Sequence, residues 1–314
     1  MKILAIDIGG TFIKYARMTG EAEILSRGKL PTPQSGRGAL IDVLSALYAE
    51  EPTDGIAISM PGIIDPEQGL VLMGGALHYN DGFYLRRALF ERCPVPISIE
   101  NDANCAALAE AADGSLWDVP NGMVLIFGTM IGGALIRDHQ LYRGSHFSAG
   151  EISYLITDRS GVPTADGIWG NRCSVPQLCR TYERARGLPE GSADGEAVFA
   201  AVNAGEPEAV ECLRAYAAEV AVQIFNLQNL YDPDRFAIGG GISTAPAFIE
   251  AIRAHLKRLY EVCPYSVRRA EVAACRFNND ANLYGAVRCF LALRERDAGD
   301  AREFGDAACR EAGR

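Results

Sequence analysis

The chain has 314 residues, of which 48% are hydrophobic and 22% are charged, so it is long enough to form two domains that each bury a core. Its formal net charge of -10 gives no broad attraction to polyanions, which disfavours nucleic acid and anionic membrane surfaces as partners. It also lacks an apolar run long enough to cross a bilayer.

Nine cysteines are spread along the chain without a C-x-x-C pair. An odd number without paired spacing predicts buried, reduced thiols rather than a disulfide framework. The N-terminus shows no signal-peptide pattern, because only four apolar residues separate Lys2 from Asp7. Both features predict a cytoplasmic protein.

The first part of the chain predicts a β-meander followed by alternating helices and strands. Three strand patterns come first, joined by a glycine-rich turn and by TGEA: KILAID, FIKYARM and EILSRGKL. They are followed by helix GRGALIDVLSALYAEE, strand GIAISM, helix FYLRRALFERC, strand VPISIE and helix CAALAEAA. We predict that residues 1–117 form an N-terminal domain.

The middle of the chain repeats this opening plan. The segment MVLIFGTMIGGALIRDHQLYRGS contains an apolar strand, a glycine- and threonine-rich turn, a second strand, a short polar turn and a third strand. We therefore predict a C-terminal domain over residues 118–297, whose last helix near 281–297 could pack back on the first domain. The polar residues 298–314 are expected to form a loose extension.

Three glycine-rich turns recur along the chain, at residues 7–11, 128–133 and 239–243. One isolated turn of this kind is most simply a tight hairpin, since Gly9 and Gly10 allow backbone conformations that other residues avoid. The repetition favours phosphate binding, because such tips present backbone N–H groups and a threonine hydroxyl to phosphate oxygens. A glycine run between a strand and a helix also suits a phosphate or adenosine at the helix N-terminus.

Asp7 ends the first strand, directly before the first glycine-rich turn. A carboxylate beside bound phosphates needs a cation between them, and Mg²⁺ is the usual one because it bridges phosphates and keeps several waters. The alternative is a hydrogen-bonded turn aspartate, which fits one hairpin but does not explain the repeat.

Six motifs occur in the order and at about the spacing of one known family: LAIDIGGTFIKYARM, MPGIID, IENDANCAALAE, GTMIGGALI, AGEIS and AIGGGIS. Through them the chain resembles the ROK family (repressor, open reading frame, kinase) from residue 3 to about residue 293. The resemblance implies an α/β fold of hexokinase type, with two actin-like (ribonuclease H-like) domains and a cleft between them. It favours the kinase branch, since no helix-turn-helix pattern precedes the first hairpin.

The resemblance also implies the roles of individual residues. Asp102 is the implied catalytic base, which takes the proton from the attacking sugar hydroxyl. Helix capping by Asn101 or Asp102 is an alternative role that is compatible with catalysis. The implied sugar site consists of Pro61, Gly62, Gly75, Asn80, Asn101, Asp102 and Glu151.

ATP and Mg²⁺ are the implied cofactors, with Asp7 holding the metal through water. The predicted ATP and phosphate site consists of Asp7, Gly9, Gly10, Thr11, Lys14, Gly128, Thr129, Gly132, Gly133, Gly239, Gly240 and Gly241.

The sequence departs from the family pattern at two places. Tyr154 replaces a histidine that binds zinc in the family's glucokinases, and Cys173 and Cys179 have no third cysteine or histidine close by, so we predict no zinc site. That histidine also contacts the sugar near its anomeric carbon in family members, so its loss suggests β-glucosides or modified hexoses as substrates. Met130 replaces a glycine of the second phosphate hairpin, and we expect its side chain to pack into the domain.

These features predict an ATP-dependent kinase that phosphorylates a hexose or hexoside, with O6 as the expected acceptor. The alternatives are a non-catalytic sugar-binding regulator of the same family and a kinase for another hexose such as fructose or N-acetylmannosamine. The expected partners are the sugar and ATP, without nucleic acid or membrane, and the family's habit suggests a homodimer.

Overall fold

The computed structural model describes residues 1–158, 164–264 and 268–295. They divide into two compact units, the first formed by Met1–Leu108 with the chain from Asn282 onward, and the second by Ala109–Ala281. The predicted domain limits at residues 117 and 297 stay predictions, and the predicted extension over 298–314 lies outside the described residues.

The first unit is built on a five-stranded sheet and a small hairpin. Its strands are β1 (Lys2–Ile8), β2 (Phe12–Thr19), β3 (Ile24–Pro31), β4 (Gly55–Met60), β5 (Ile63–Asp65), β6 (Leu70–Met73) and β7 (Ile97–Asn101). The sheet has the order β3-β2-β1-β4-β7, in which β1, β2 and β3 form an antiparallel meander and β4 and β7 run parallel to β1. Strand β4 is buried along its whole length, as expected for a parallel strand covered on both faces.

The second unit repeats this sheet. Its strands are β8 (Gly122–Phe127), β9 (Ile131–Arg137), β10 (Gln140–Tyr142), β11 (Arg235–Gly239) and β12 (Val272–Ala274). The order β10-β9-β8-β11-β12 again joins an antiparallel meander to two parallel strands. The repeated hairpin predicted from the sequence is therefore confirmed.

Helices cover both sheets. They are α1 (Arg37–Glu50), α2 (Leu85–Phe90), α3 (Asp102–Asp113), α4 (Trp169–Arg172), α5 (Val175–Arg186), α6 (Gly195–Asn203), α7 (Pro207–Tyr231), α8 (Pro246–Val262) and α9 over residues 281–295. Leucines of α1 pack on one face of the first sheet, and α9 packs on the other through Phe290. Within the described ranges, none of these helices is long and apolar enough to cross a membrane.

An aromatic cluster supports the end of β8. The ring of Phe127 makes edge contacts with Trp169, Tyr216 and Phe248 at centroid distances of 6.3, 6.2 and 5.5 Å. Aromatic pairs of this geometry add stability beyond the burial of their area. The second glycine-rich turn therefore begins from a fixed point of the core.

Candidate active site

The first glycine-rich turn joins β1 to β2. Gly9 N donates to the carbonyl of Phe12 at 2.9 Å, and Thr32 Oγ1 donates to the carbonyl of Gly9 at 2.6 Å. Gln34 Nε2 donates to the carbonyl of Gly10 at 2.9 Å. These bonds hold the carbonyls of the turn from residues that follow β3, and Gly10 and Thr11 at the tip are exposed.

Asp7 is buried beside this turn, with 7% of its surface exposed. Its Oδ1 accepts hydrogen bonds from Ser59 and Asn282, and its Oδ2 lies 4.0 Å from Nζ of Lys14. The pKa of Asp7 is raised overall, because burial outweighs the opposing interactions. These are the hydrogen bond from Asn282, the charge of Lys14 and the hydrogen bond from Ser59, which each lower the pKa. Neither Ser59 nor Asn282 was predicted, because no motif connects them to Asp7.

These residues fit a hydrated divalent cation. A cation near a buried carboxylate favours its charged form, which desolvation disfavours. In the part of the chain that the structure describes, no three carboxylate, histidine or cysteine side chains cluster as metal ligands. Mg²⁺ commonly takes one protein carboxylate together with water and phosphate oxygens, so Asp7 alone suffices for such a site.

The second and third glycine-rich turns meet in one cavity of the second unit. The cavity measures about 780 Å³ and is lined by Gly128, Thr129 and Gly241. Val175 N donates to the carbonyl of Gly128 at 2.9 Å, which fixes the turn to the start of α5. Two motifs that lie more than a hundred positions apart in the sequence thus contribute to one wall.

Gly240 allows the third turn to approach β8 closely. Its φ and ψ are 93° and 169°, a region that is essentially restricted to glycine. A Cβ at this position would lie 2.0 Å from the carbonyl oxygen of Phe127. Glycine at position 240 is therefore required by the contact between the end of β8 and the end of β11.

The rest of the cavity wall was missed by sequence reasoning. It includes Asp194, which caps α6 by accepting a hydrogen bond from Ala197 N at 2.9 Å, together with Phe199, Asn203 and Thr244. Asp194 and Asn203 lie at the two ends of α6, and polar residues at helix ends occur on most protein surfaces, so they gave no signal of a ligand site.

Four of the predicted sugar residues lie together in the first unit. Asn101 Nδ2 donates to the carbonyl of Gly62 at 2.9 Å, which connects the end of β7 to the turn after β4. A Cβ on Gly75 would lie 3.1 Å from the nitrogen of Gly62 and 3.3 Å from Cβ of Pro61. The structure thus places Gly75 beside Pro61 and Gly62, and connects Asn101 to Gly62 by a hydrogen bond.

The hydrogen bonds at the start of α3 show which of Asn101 and Asp102 caps the helix. Asn101 Oδ1 accepts from Asn104 N at 3.0 Å, which is the hydrogen bond of an N-cap. Asp102 is the first residue of α3 and accepts from Ala103 N at 2.9 Å. Glu100 Oε1, which is buried near the end of β7, accepts from Asn104 Nδ2 at 2.9 Å and so connects the first turn of α3 to that strand. The cap is therefore Asn101, and Asp102 is partly exposed at the strand end.

Asn80 is fully buried, and neither atom of its amide has a hydrogen-bond partner among the described residues. A buried polar group without a partner costs about 1–3 kcal/mol, so such groups normally bind water or a ligand. The position of Asn80 beside the turn from Gly74 to Leu77 therefore supports its predicted role in binding a polar molecule.

Glu151 lies in the second unit, directly before a short 3₁₀ turn over Ile152–Tyr154. Gly150 has a φ of 96°, and a Cβ there would lie 2.5 Å from the carbonyl oxygen of Gly133, so this loop packs closely on β9. Burial raises the pKa of Glu151. A half-buried carboxylate on a fixed loop can accept hydrogen bonds from hydroxyl groups of a ligand.

The predicted site residues fall into both compact units. Asp7, Gly9, Gly10, Thr11 and Lys14 belong to the first unit with most of the sugar residues. The second unit holds Glu151, Gly128, Thr129, Gly132 and Gly133 of the β8–β9 hairpin, and Gly239, Gly240 and Gly241. The assignments of individual site residues stay predictions.

The region in which the sequence predicts no zinc site contains Tyr154, Cys173 and Cys179. Tyr154 is 53% exposed. Cys173 is buried and its Sγ lies 3.2 Å from Oε2 of Glu219, while Cys179 is buried on α5. Burial raises the pKa of Cys173 most, and the Glu219 carboxylate raises it further, which disfavours the thiolate that binds zinc.

We expect the protein purified without chelators to contain zinc well below one equivalent, since the sequence supplies no local tetrahedral ligand set. Metal analysis by mass spectrometry and melting curves with and without EDTA check this. One bound zinc per chain, or a melting temperature lowered by EDTA, would contradict it.

Met130 lies at the tip of the second hairpin and is 38% exposed. Its Cε lies 2.7 Å from the position that a Cβ on Gly170 would take, so the end of the side chain packs on α4. The backbone carbonyl of Met130 accepts from Gly128 N at 3.0 Å. The side chain thus packs into the domain as expected, but only in part.

We expect Met130→Ala to lower the free energy of unfolding by about 1–2 kcal/mol, less than the roughly 2–5 kcal/mol of a fully buried methionine. The Km for ATP should change little, because the backbone contacts of the turn remain. Urea unfolding and ATP kinetics of this variant provide the check. A lower Km for ATP with unchanged stability would mean that Met130 crowds the nucleotide.

Comparison with known proteins supports one family. The sequence model of the ROK family matches residues 3–293. A β-glucoside kinase of Klebsiella pneumoniae is 37% identical over 295 residues, covering 93% of this chain and 97% of the relative. A ROK family protein from Streptococcus pneumoniae in complex with sucrose is 30% identical, with TM-score 0.84, covering 94% of this chain and 100% of that one. A ROK family glucokinase from Streptomyces griseus in complex with glucose and AMPPNP is 26% identical, with TM-score 0.80, covering 91% and 98%. The chain therefore belongs to the ROK family.

Proposed function

We propose that the chain is an ATP-dependent sugar kinase that transfers the γ-phosphoryl group of ATP to O6 of a β-glucoside. The observation that supports this most directly is the cavity lined by Gly128, Thr129 and Gly241, which joins two predicted phosphate-binding turns. The β-glucoside kinase that is 37% identical over nearly the whole length of both chains supports the reaction class and the substrate class.

Asp102 is the general base in this reaction. The end of β7 and the cap from Asn101 hold the start of α3, so the Asp102 carboxylate is presented from a rigid element. It accepts the proton of the O6 hydroxyl as that oxygen bonds to the γ-phosphorus and the bond to the β-phosphate oxygen breaks. The products are ADP and a sugar 6-phosphate.

Amide and carboxylate side chains orient the sugar. Asn80 and Asn101 supply amide groups near the turn at Pro61 and Gly62, and Glu151 accepts hydrogen bonds from further hydroxyls. A hydroxyl-rich ligand needs such paired donors and acceptors in fixed places. The buried amide of Asn80, which has no hydrogen-bond partner in the part of the chain that the structure describes, is the strongest support for this arrangement.

The glycine-rich turns bind the phosphates through backbone N–H groups and the hydroxyls of Thr11 and Thr129. Asp7 would hold Mg²⁺ through water, and when bound the ion neutralises charge on the β- and γ-phosphates. Lys14, which lies in register with Asp7 on β2, adds a positive charge at the same turn. A homodimer, a cytoplasmic location and the absence of nucleic-acid binding stay predictions.

The substrate class can be tested with a sugar panel. ADP release is measured with glucose, methyl β-glucoside, cellobiose, methyl α-glucoside, fructose and N-acetylmannosamine. We expect the highest kcat/Km with the two β-glucosides, because Tyr154 stands where the family's glucokinases have a histidine near the anomeric carbon. A preference for free glucose or N-acetylmannosamine would contradict the β-glucoside assignment while leaving the kinase assignment intact.

A further inference from the structure

Asp7 is held by two hydrogen bonds that come from distant parts of the chain. Its Oδ1 accepts from Ser59 Oγ at 3.2 Å and from Asn282 Nδ2 at 2.9 Å. Ser59 lies beside Asp7 in the parallel pair of β1 and β4, whereas Asn282 lies in the first turn of α9. Because Asp7 is 7% exposed, both donors act on a buried carboxylate, where hydrogen bonds are stronger than in water.

Asn282 is fixed in place by the packing of its helix. Phe290 of α9 lies in one apolar cluster with Ile3 of β1. A Cβ on Gly285 would lie 1.7 Å from the carbonyl oxygen of Cys105, so the backbones of α9 and α3 are in close contact. The amide therefore reaches the carboxylate from a rigid element, which gives it a defined direction.

The two donors also fix the orientation of the carboxylate. Both engage Oδ1 of Asp7, whereas Oδ2 lies 4.0 Å from Nζ of Lys14. Hydrogen bonds to one oxygen of a carboxylate orient the other oxygen toward a metal or its bound water. An amide and a hydroxyl perform this role without adding a positive charge that would repel a cation.

We propose that Asn282 is a positioning residue for the divalent cation that accompanies the nucleotide. Its amide holds Oδ1 of Asp7 so that Oδ2 faces the hydrated cation, and Ser59 supports the same orientation from β4. The proposal rests on the ATP-dependent phosphoryl transfer proposed above. It assigns a role in the reaction to a residue that lies 275 positions after Asp7.

The kinetic test compares Asn282→Ala with Leu283→Ala, whose side chain packs in the apolar cluster of α9. We expect Asn282→Ala to raise the Mg²⁺ concentration for half-maximal velocity about 10-fold, as for the loss of one hydrogen bond to a charged group. The Km for the sugar should stay unchanged. Leu283→Ala should lower the melting temperature and leave the Mg²⁺ requirement unchanged.

A binding measurement makes the test independent of turnover. Mn²⁺ is titrated into the protein with a non-hydrolysable ATP analogue, and free Mn²⁺ is followed by electron paramagnetic resonance. We expect the affinity for Mn²⁺ to fall about 10-fold in Asn282→Ala and to stay at the wild-type value in Leu283→Ala. This measurement tests the role of Asn282 even if the protein phosphorylates no sugar. The absence of phosphorylation would contradict the proposed function but not the proposed role of Asn282.

An unchanged Mn²⁺ affinity in a folded Asn282→Ala protein would overturn the proposal and leave Asn282 as an anchor for α9. Should this variant fail to fold, Ser59→Ala replaces it, since that change removes one hydroxyl at nearly constant shape. Ser59→Ala is expected to weaken Mn²⁺ binding by a smaller factor, because its bond to Asp7 is longer at 3.2 Å. Wild-type affinity in Ser59→Ala would then overturn the proposal.

Discussion

Asp102→Asn is expected to lower kcat by about 10²–10⁴-fold, the usual contribution of a positioned general base. Asparagine keeps the shape of the side chain and an oxygen that can accept from Ala103 N, so the start of α3 should be preserved. It cannot take the proton from the O6 hydroxyl. Sugar affinity, measured by calorimetry without ATP, should therefore stay close to the wild-type value while turnover falls.

The matched control for Asp102→Asn is Asp42→Asn, which removes an exposed carboxylate from α1. Asp42 pairs with Arg92 at 2.8 Å on the surface, and exposed ion pairs of this kind contribute little to stability. This control should retain full turnover and a near-normal melting temperature. Near-normal kcat in Asp102→Asn itself would show that another group is the base.

Gly240→Ala is expected to lower the free energy of unfolding by about 2–5 kcal/mol and to raise the Km for ATP. The backbone at Gly240 has φ 93° and ψ 169°, where alanine is strained, and the added Cβ would meet the carbonyl oxygen of Phe127 at 2.0 Å. Relief of that contact must move the turn away from β8. The cavity that is lined by Gly128 and Gly241 would then lose its shape.

Gly241→Ala is the control for the stability effect, because a Cβ at Gly241 would meet no atom within 4 Å and its φ is not positive. The free energies of unfolding of both variants are measured in urea and compared if their m-values are equal. The difference between them separates backbone strain at Gly240 from the general effect of replacing a glycine. Equal stabilities of Gly240→Ala and Gly241→Ala would contradict the close contact between β8 and the third turn.

The sequence alone predicted the repeated architecture. Alternating apolar residues mark the strands, and glycine and threonine mark each turn, so two copies of one hairpin are visible as local patterns. The position of Asn101 and Asp102, for which we predict sugar binding and catalysis, was also predictable, because they lie where an apolar strand meets a helix. These features depend on neighbours in the sequence.

The remaining features depend on contacts between distant segments. The bond from Asn282 to Asp7 joins opposite ends of the chain, and an asparagine near the start of a helix is usually explained by capping. The burial of Asn80 and the cavity wall at Asp194 likewise follow from packing rather than from a local pattern. The choice between Asn101 and Asp102 as the cap needed the hydrogen bond to Asn104.

Phosphoryl transfer to O6 is tested most directly by ³¹P NMR of the purified protein with ATP, Mg²⁺ and methyl β-glucoside. We predict that the γ-phosphate signal of ATP is replaced by ADP signals and by one phosphomonoester signal that couples to the two protons on C6 of the glucoside. Asp102→Asn should give this product far more slowly under the same conditions. Saturable binding of the glucoside with no phosphomonoester formed from any sugar of the panel would contradict the kinase assignment and favour a non-catalytic sugar-binding regulator.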